Sequence, residues 1–279
     1  MKTFKNKVAA VTGAGSGIGR ALALELAKHG AQLAISDIDP LRVEETAELA
    51  HALGADVMSS TLDVSDKDAV FAWADEVNAR FGKVNLIFNN AGVALSATVD
   101  EISYEDFEWL FNINFWGVFH GTKAFLPHLV AAGEGHIINI SSVFGLIAVP
   151  GLSAYNTSKF AVRGFTETLR QELDIADAGV SCSCVHPGGI QTNIARDATM
   201  RESMKKIVGD DLEASTRNFE KLFSTTPEDA AKTILAGVRR NKRRILIGKD
   251  AVAIDSSQRI LPSLYQFFVS KVSGRAMGR

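Results

Sequence analysis

Short apolar runs alternate with longer segments of helical period along the chain. The apolar runs are rich in β-branched residues and predict buried strands. They cover residues 8–12, 32–37, 56–61, 85–88, 136–140, 180–185 and 244–247, and helical patterns fall near 17–29, 40–53, 66–81, 103–131, 153–177 and 226–240. Strict alternation of strand and helix predicts parallel strands joined by right-handed crossovers. The pattern therefore predicts an α/β fold with one doubly wound, parallel sheet of seven strands.

No linker, repeat or low-complexity tract marks a second domain. We predict one domain over residues 1–255, which includes a long polar segment at 190–225 that interrupts the alternation. Residues 256–279 are predicted to form a C-terminal amphipathic extension of that domain. The apolar residues of the extension recur at helical spacing and are Ile260, Leu261, Leu264, Phe267, Phe268 and Val272.

Charge is distributed unevenly along the chain. Hydrophobic residues make up 46% and charged residues 22%, as in ordinary globular proteins, and the net charge of −2 gives no global attraction to nucleic acid. From residue 239 onward, however, ten Lys or Arg face only Asp250 and Asp255, so this tail carries +8 and the preceding body −10. For the tail we favour a subunit-packing helix. A cover over a binding pocket comes second, and contact with an anionic membrane surface third.

The two cysteines and the N-terminal residues indicate the cellular compartment of the protein. Cys182 and Cys184 lie two apart in a predicted strand, which is poor geometry for a disulfide and indicates core residues in a reducing compartment. Residues 1–7 lead directly into a strand without an apolar leader, and no apolar run is long enough to span a bilayer. We therefore expect a cytoplasmic protein. The six histidines show no metal-ligand spacing, so we expect no metal.

The first predicted strand ends in a glycine-rich turn, T-G-A-G-S-G-I-G at residues 12–19, and a helix follows at once. Glycines let a pyrophosphate approach the main chain, and a helix N-terminus offers free N–H groups and the positive end of a dipole. The spacing G-x-x-x-G-x-G is a variant of the common dinucleotide motif. The residues predicted to bind a dinucleotide here are Gly13, Gly15, Ser16, Gly17, Ile18 and Gly19.

The ends of the next three strands extend this nucleotide site. Asp37 ends strand two, 18 residues after Gly19, close to the offset at which an acid binds ribose hydroxyls. A carboxylate there repels a 2′-phosphate, and neither Ser16 nor Ile38 supplies a cation to bind one, so NAD is favoured over NADP. The further residues expected beside the cofactor are Asp63 and Val64 after strand three and Asn90, Ala91 and Gly92 after strand four.

Four residues after strands four and five suggest proton-transfer chemistry. Tyr155 and Lys159 lie four apart at the start of a predicted helix and share one face. Ser142 precedes the tyrosine by 13 residues, and Asn114 lies inside the long helix after strand four. Oxidising an alcohol requires a base, but a free tyrosine with a pKa of about 10 is a poor base at neutral pH. A nearby ammonium and a positive nicotinamide both favour phenolate, and a pKa of about 7 requires roughly 4 kcal/mol of such stabilisation.

Together these motifs resemble the short-chain dehydrogenase/reductase family. The resemblance rests on the glycine turn, on N-N-A-G at 89–92, on Ser142 with the segment 155–159, and on P-G-G-I-Q-T at 187–192, and it spans residues 5–195. It implies a Rossmann-type sheet, with Tyr155 as general acid/base and Ser142 orienting the substrate oxygen. It also implies that Lys159 binds the nicotinamide ribose and lowers the tyrosine pKa, and that Asn114 holds a water in a proton relay. The implied neighbours of the nicotinamide are Pro187, Gly188, Ile190 and Thr192, with Thr192 at the carboxamide.

The resemblance also implies a homodimer or homotetramer. Four aromatic residues of the long helix are candidates for the subunit interface, although core packing explains them equally well: Phe111, Phe115, Trp116 and Phe119.

The expected substrate is apolar. Segment 190–225 corresponds to the family's substrate-covering region, and its methionines suit an adaptable apolar pocket. Apolar residues near the predicted site are Val93, Leu95, Phe144, Leu146, Ile147 and Val149. We expect an NAD-dependent oxidoreductase that acts on an apolar secondary alcohol or ketone, steroid-like or aliphatic. Two alternatives stay open: an NADPH-dependent ketone reductase, against which Asp37 argues, and a non-catalytic nucleotide-binding regulator, against which the complete serine, tyrosine and lysine set argues.

Overall fold

Seven parallel strands form the central sheet of the computed structural model. The structure describes residues 1–192, 194, 197–212, 214, 216–217 and 223–275, with the main chain alone at 272–275. The strands are β1 (Val8–Thr12), β2 (Gln32–Asp37), β3 (Val57–Thr61), β4 (Leu86–Asn89), β5 (Leu95–Ser96), β6 (Gly135–Ile140), β7 (Val180–Pro187), β8 (Thr199–Met200) and β9 (Arg244–Ile247). The order in the large sheet is β3-β2-β1-β4-β6-β7-β9. The prediction of a doubly wound, seven-stranded parallel sheet is confirmed.

Helices cover both faces of this sheet. They are α1 (Gly17–Lys28), α2 (Pro40–Ala52), α3 (Lys67–Phe81), α4 (Tyr104–Phe111), α5 (Gly117–Ala131), α6 (Ser153–Ala176), α7 (Lys205–Val208), α8 (Pro227–Arg239), α9 (Lys249–Ile260) and α10 (Leu264–Arg275). One core packs α1, α2 and α8 on the sheet, and the other packs α3, α5 and α6 on the opposite face. Because side chains alternate along a strand, Ala9 and Val11 enter the first core and Val8 and Ala10 the second. Cys182 and Cys184 are buried and free, as expected.

The strand order reverses between β1 and β4. These two strands pair in parallel, with Val11 opposite Phe88, and their carboxyl ends open side by side at one edge of the sheet. Open α/β sheets bind ligands in the crevice at such a switch point. The glycine turn after β1 and the segment 89–92 after β4 both lie at this crevice.

The predicted long helix at 103–131 is interrupted by a π-helical turn. α4 ends at Phe111, a π turn spans Asn112–Trp116, and α5 begins at Gly117. Such turns insert an extra residue into a helix and are frequent at functional sites. Asn114 is the buried residue of this turn. The continuous helix was therefore wrong at its centre, because hydrophobic period does not register a single inserted residue.

A second, two-stranded sheet joins β5 to β8 and was not predicted. It joins the described residues of segment 190–225 to the loop after β4. Two ion-paired groups support the same junction: Arg201 binds Asp106 through two nitrogens, at 2.9 and 2.7 Å, and Lys206 lies 2.8 Å from Asp100. The described part of this segment is thus attached to the body of the domain by main-chain and side-chain bonds.

The described part of the C-terminal extension contains the end of α9 and the whole of α10. The predicted helical stripe through Ile260 and Leu264 is broken between α9 and α10, where Pro262 cannot continue the first helix. Ile260 is 76% exposed and Phe267 60% exposed. The side chain of Val272 and residues 276–279 lie outside what the structure describes. Among the described residues, no helix is both long and apolar enough to cross a membrane.

Candidate active site

The glycine turn is held open by its main-chain geometry. Gly13 has φ +63°, and a Cβ there would stand 2.7 Å from the Cα of Ala91, so a side chain would meet both strain and a clash. Ser16 precedes α1 in extended conformation, and its side chain accepts no hydrogen bond from the helix. The first N–H groups of α1 therefore stay available to an anion.

The surroundings of this turn fit a dinucleotide. A cavity of about 300 Å³ lies against the turn and is lined by Gly15, Ser16, Gly17, Arg20, Arg42 and Glu45. A Cβ on Gly17 would stand 3.1 Å from the methyl group of Thr192, so the segment after β7 passes close over the turn. Residues that the sequence places at two ends of the cofactor are thus neighbours in space. Their contacts with NAD remain predictions.

Asp37 is anchored where a ribose is expected. Its Oδ2 accepts a hydrogen bond of 2.8 Å from the Gly15 N–H, and its Oδ1 accepts one of 3.1 Å from the Asp39 N–H. The next residue, Ile38, is 66% exposed and carries no charge. The nearby cation Arg20 is engaged by Glu45 at 2.6 Å and by the Gly15 carbonyl at 2.6 Å. Arg42, which also lines the cavity, pairs with Asp39 at 3.2 Å and with Asp197 at 3.7 Å, so both cations of the lining are engaged by carboxylates.

Thr12 joins the turn to β4, a role that we did not assign to it from the sequence. Its hydroxyl oxygen accepts hydrogen bonds from the N–H groups of Asn90, at 3.0 Å, and Ala91, at 3.1 Å. The Asn90 amide donates in return to the carbonyls of Thr12, at 3.0 Å, and Gly13, at 3.1 Å. Asn90 and Ala91 therefore shape the turn as well as lying beside it.

Asp63 and Val64 follow β3 and make contacts within the protein. The Asp63 carboxylate accepts from the N–H and hydroxyl of Ser65, at 2.9 and 2.7 Å. Val64 is buried, and a Cβ on Gly117 would stand 2.8 Å from its methyl group. Glycine at the start of α5 thus allows this valine close to the helix. Contact of these two residues with the adenine remains a prediction.

Ser142 and Tyr155 meet near the carboxyl end of β6. Ser142 follows that strand and caps a short 3₁₀ turn at Val143–Gly145, with its hydroxyl oxygen accepting from the Phe144 N–H at 3.1 Å. Tyr155 lies in the first turn of α6. Burial raises the pKa of Tyr155, and a hydrogen bond with the Ser142 side chain partly offsets that rise. In the chain alone, the shift is thus opposite to the direction that we predicted for the loaded site.

Lys159 lies one helical turn beyond the tyrosine and is buried. Its Nζ donates to the Ile140 carbonyl at 3.1 Å and stands 5.6 Å from the centre of the Tyr155 ring. Burial lowers the pKa of Lys159 to about 8, because the charged form loses its hydration. At pH 7 the amine is therefore still mainly protonated, and its charge favours a phenolate beside it.

Asn114 is brought to this cluster by the π turn. Its Oδ1 accepts from the Val93 N–H at 2.8 Å, and its Nδ2 donates to the Val93 carbonyl at 2.9 Å and to the Ser158 hydroxyl at 3.3 Å. Ser158 in turn donates to the Tyr155 carbonyl at 2.8 Å. A Cβ on Gly92 would stand 3.1 Å from Asn114 Oδ1 and 3.5 Å from Lys159 Nζ. Glycine there keeps space open between the two, and the relay water expected in this region stays a prediction.

The segment after β7 completes the edge of the site. Gly188 donates to the Ile247 carbonyl at 2.9 Å, and Gly189 donates to the Asp250 carboxylate at 2.7 Å. Ile190 is buried in the first core, and its contact with the nicotinamide remains a prediction. Asp250 had been counted only as one of two acids in a basic tail. Its position shortly after β9, the neighbour of β7 in the sheet, is the sequence feature that could have predicted the contact with Gly189.

Comparison with known proteins agrees with this arrangement. The sequence model of the family described as short chain dehydrogenase matches residues 7–203. The chain belongs to the short-chain dehydrogenase family. It is 51% identical to the putative oxidoreductase SadH of Mycobacterium tuberculosis (strain ATCC 25618 / H37Rv), over 97% of this chain and 96% of that protein. It is 31% identical to estradiol 17-beta-dehydrogenase 11 of Homo sapiens, over 95% of this chain and 82% of that protein.

A solved structure shows the same likeness in three dimensions. A short chain dehydrogenase/reductase from Burkholderia phymatum, crystallised in complex with NAD, is 32% identical. The match covers 95% of this chain and 97% of that chain, with a TM-score of 0.85. This protein is therefore an oxidoreductase of the short-chain dehydrogenase family, with a Rossmann-type domain.

Proposed function

We propose that the protein is an NAD-dependent dehydrogenase that interconverts an apolar secondary alcohol and its ketone. The observation that carries the proposal is the convergence of Ser142, Tyr155 and Lys159, together with a glycine turn in which the Gly15 N–H is hydrogen-bonded to Asp37. Bound NAD would supply the hydride acceptor or donor. It would be held by the glycine turn, by Asp37 at the ribose and by the segment 187–192, with Lys159 at the second ribose.

The proton of the reaction is assigned to Tyr155. In alcohol oxidation its oxygen takes the hydroxyl proton of the substrate, and in ketone reduction it returns that proton to the carbonyl oxygen. Ser142, whose side chain bonds to that of Tyr155, orients the substrate oxygen. The positive charge of Lys159, 5.6 Å from the ring, opposes the effect of burial and favours the phenolate.

An apolar substrate is supported by the walls near this cluster. The Phe144 ring centre lies 6.3 Å from that of Tyr155, and Leu146 is buried two residues after Phe144. Leu95 belongs to a buried apolar cluster against which Tyr155 packs. Met204 of the covering segment reaches Gly151, where a Cβ would meet its sulfur and methyl at 2.5 Å. The name of the human relative describes a steroid dehydrogenase. We therefore favour steroid-like or aliphatic alcohols over small diols.

An absorbance assay for NADH formation tests this function. Secondary alcohols of graded chain length, and a hydroxysteroid, are offered with NAD and, separately, with NADP. We expect turnover with NAD that improves as the alcohol becomes larger and less polar. No turnover with any alcohol, or in the reverse direction with any ketone, would refute catalysis. Equal rates on glycerol and on the large alcohols would refute the apolar pocket.

We further infer that subunits associate through α5 and α6. Trp116 is 41% exposed although its ring packs against Phe119, at 5.5 Å between centroids, and Phe160 on α6 is 39% exposed. Large aromatic side chains that stay partly exposed are typical of interfaces. Replacement of Trp116 by Glu should shift the protein to a smaller mass in light scattering. An unchanged mass would exclude this face.

A further inference from the structure

The imidazole ring of His186 makes a polar contact with the main chain beside the candidate active site. The residue precedes Pro187 at the end of β7, and its side chain is fully buried. Its Nδ1 stands 2.9 Å from the carbonyl oxygen of Ser142. A carbonyl can only accept, so Nδ1 carries the proton and Nε2 is left as an acceptor.

The other ring nitrogen has no such contact. Within the described residues, His186 Nε2 is buried and has no hydrogen-bond partner. A buried polar atom without a partner costs about 1–3 kcal/mol, which is similar to what the bond at Nδ1 contributes. Stability alone therefore gives little reason for a histidine in this position, because an apolar side chain of similar size would avoid the penalty. We therefore look for the reason for this histidine in the group that Nδ1 binds, the Ser142 carbonyl.

Ser142 stands where the strand ladder ends. The preceding residue, Ser141, donates its N–H to the Val185 carbonyl at 2.8 Å, as the last rung between β6 and β7. Two bonds of Ser142 are made inside its own turn: its hydroxyl accepts from Phe144, and its carbonyl accepts from the Gly145 N–H at 3.0 Å. These two bonds would be kept if the whole turn tilted away from the sheet, and the interaction of the Ser142 side chain with Tyr155 leads to α6 and not to β7. Among the described residues, it is the bond from His186 that ties the serine to β7.

We propose that His186 is a positioning residue, which holds the main chain of Ser142 against β7 and thereby sets the Ser142 hydroxyl relative to Tyr155. The inference deepens the proposed dehydrogenase function and rests on it. Burial lowers the pKa of His186 to about 4, so the ring is neutral at pH 7 and a single tautomer serves the carbonyl. The residue touches neither substrate nor cofactor in this role and acts through the serine.

The test compares two replacements of the histidine. In His186→Asn the amide nitrogen takes the place of Nδ1 and can still donate, whereas His186→Leu fills a similar volume without a donor. We expect the leucine variant to lose about tenfold in kcat, since a small misplacement of a catalytic group is costly, while the Kd for NAD, measured by fluorescence, is unchanged. The asparagine variant should recover most of the rate.

The decisive measurement repeats His186→Leu in a Ser142→Ala background. If the histidine acts through the serine, the second change should cost less than about twofold there, because groups that act as a unit are not additive. An equal loss in both backgrounds, or no loss of kcat in a folded leucine variant, would overturn the proposal. If Ser142→Ala itself left the rate intact, the proposed function would fail instead.

His136 supplies a matched control. It is also a buried histidine, on β6, where its Nε2 lies 2.8 Å from the Ser183 hydroxyl, at the end of the sheet opposite the site. His136→Leu should lower the melting temperature and leave kcat unchanged. If it reduced kcat as much as His186→Leu does at equal stability, the effect at residue 186 would be general and the proposal wrong.

Discussion

Cofactor choice should depend on the charge at Asp37. Two unit charges about 4 Å apart repel each other by about 4 kcal/mol at an effective dielectric constant of about 20. Asp37 is partly open to solvent, and salt screens it further, so we expect about 2 kcal/mol against a 2′-phosphate. At 1.36 kcal/mol for each factor of ten, this corresponds to a preference for NAD of about 30-fold. Ile38 is 66% exposed, so an arginine there can reach outward to a phosphate without displacing core residues.

The assay compares kcat/KM for NAD and NADP in Asp37→Ser/Ile38→Arg, at low and high salt. We expect the double variant to prefer NADP and the preference of the unmodified protein to weaken as salt rises. Asp66→Ser is the matched control: Asp66 also caps a helix, α3, by accepting from the Ala69 N–H at 3.0 Å, and it does not line the cavity, so its loss should affect stability and not selectivity. A preference for NADP in the unmodified protein, or equal effects of the two aspartates, would show that Asp37 does not discriminate the cofactors.

Three further outcomes follow from the contacts. Tyr155→Phe should lower kcat by about 10²–10⁴-fold and leave the Kd for NAD unchanged. Tyr104→Phe, at an 85% exposed position, should change neither quantity. If Tyr155→Phe kept more than about a tenth of the rate, the acid/base role of this tyrosine would be contradicted. Burial lowers the pKa of His136 to about 3 and of His186 to about 4. The stability that these neutral histidines contribute is therefore fully present above the unfolded pKa near 6.5 and falls with pH below it, by about 1 kcal/mol for each histidine at pH 5.5. Urea denaturation should show this decline, and His136→Asn should halve it; equal declines in both proteins would be inconsistent with a buried neutral His136. Deletion of residues 263–279 should raise KM for large apolar alcohols and leave the Kd for NAD unchanged. The reason is that Tyr265 on α10 accepts a hydrogen bond of 3.1 Å from the N–H of Ala148, which lies between Ser142 and Tyr155 in the sequence. An unchanged KM in the truncated enzyme would show that the tail does not contribute to the substrate pocket.

The sequence predicts the sheet well because burial determines both pattern and structure. Each of the seven strands of the large sheet begins and ends within two residues of its predicted bounds, since runs of apolar β-branched residues are what a doubly covered parallel sheet requires. The positions of the candidate site residues follow from the same pattern of buried strands. Once the strands are fixed, the glycine turn, Asp37, segment 89–92, Ser142 and segment 187–192 must all emerge at one edge.

The features that escaped prediction depend on single contacts. The π turn is stabilised by the exchange of two hydrogen bonds between Asn114 and the main chain of Val93, and nothing in the period of the helix reveals that exchange. The small sheet of β5 and β8 has two residues in each strand, too few for an alternating pattern. Thr12 and Asp250 bind main-chain N–H groups, which every residue except proline carries, so no partner residue type marks these contacts in the sequence.

The contacts of the tail bear on the three roles that its composition leaves open. Its two acids both bind inward: Asp250 accepts from Gly189, and Asp255 lies 2.6 Å from Arg244. The Tyr265 hydroxyl accepts from Ala148 on the other side of the crevice. Tyr265 on α10 thus ties the extension to the segment between Ser142 and Tyr155, and Asp250 ties the start of α9 to the segment after β7. Because subunit packing alone would require neither contact, we expect a tail that helps to enclose the substrate.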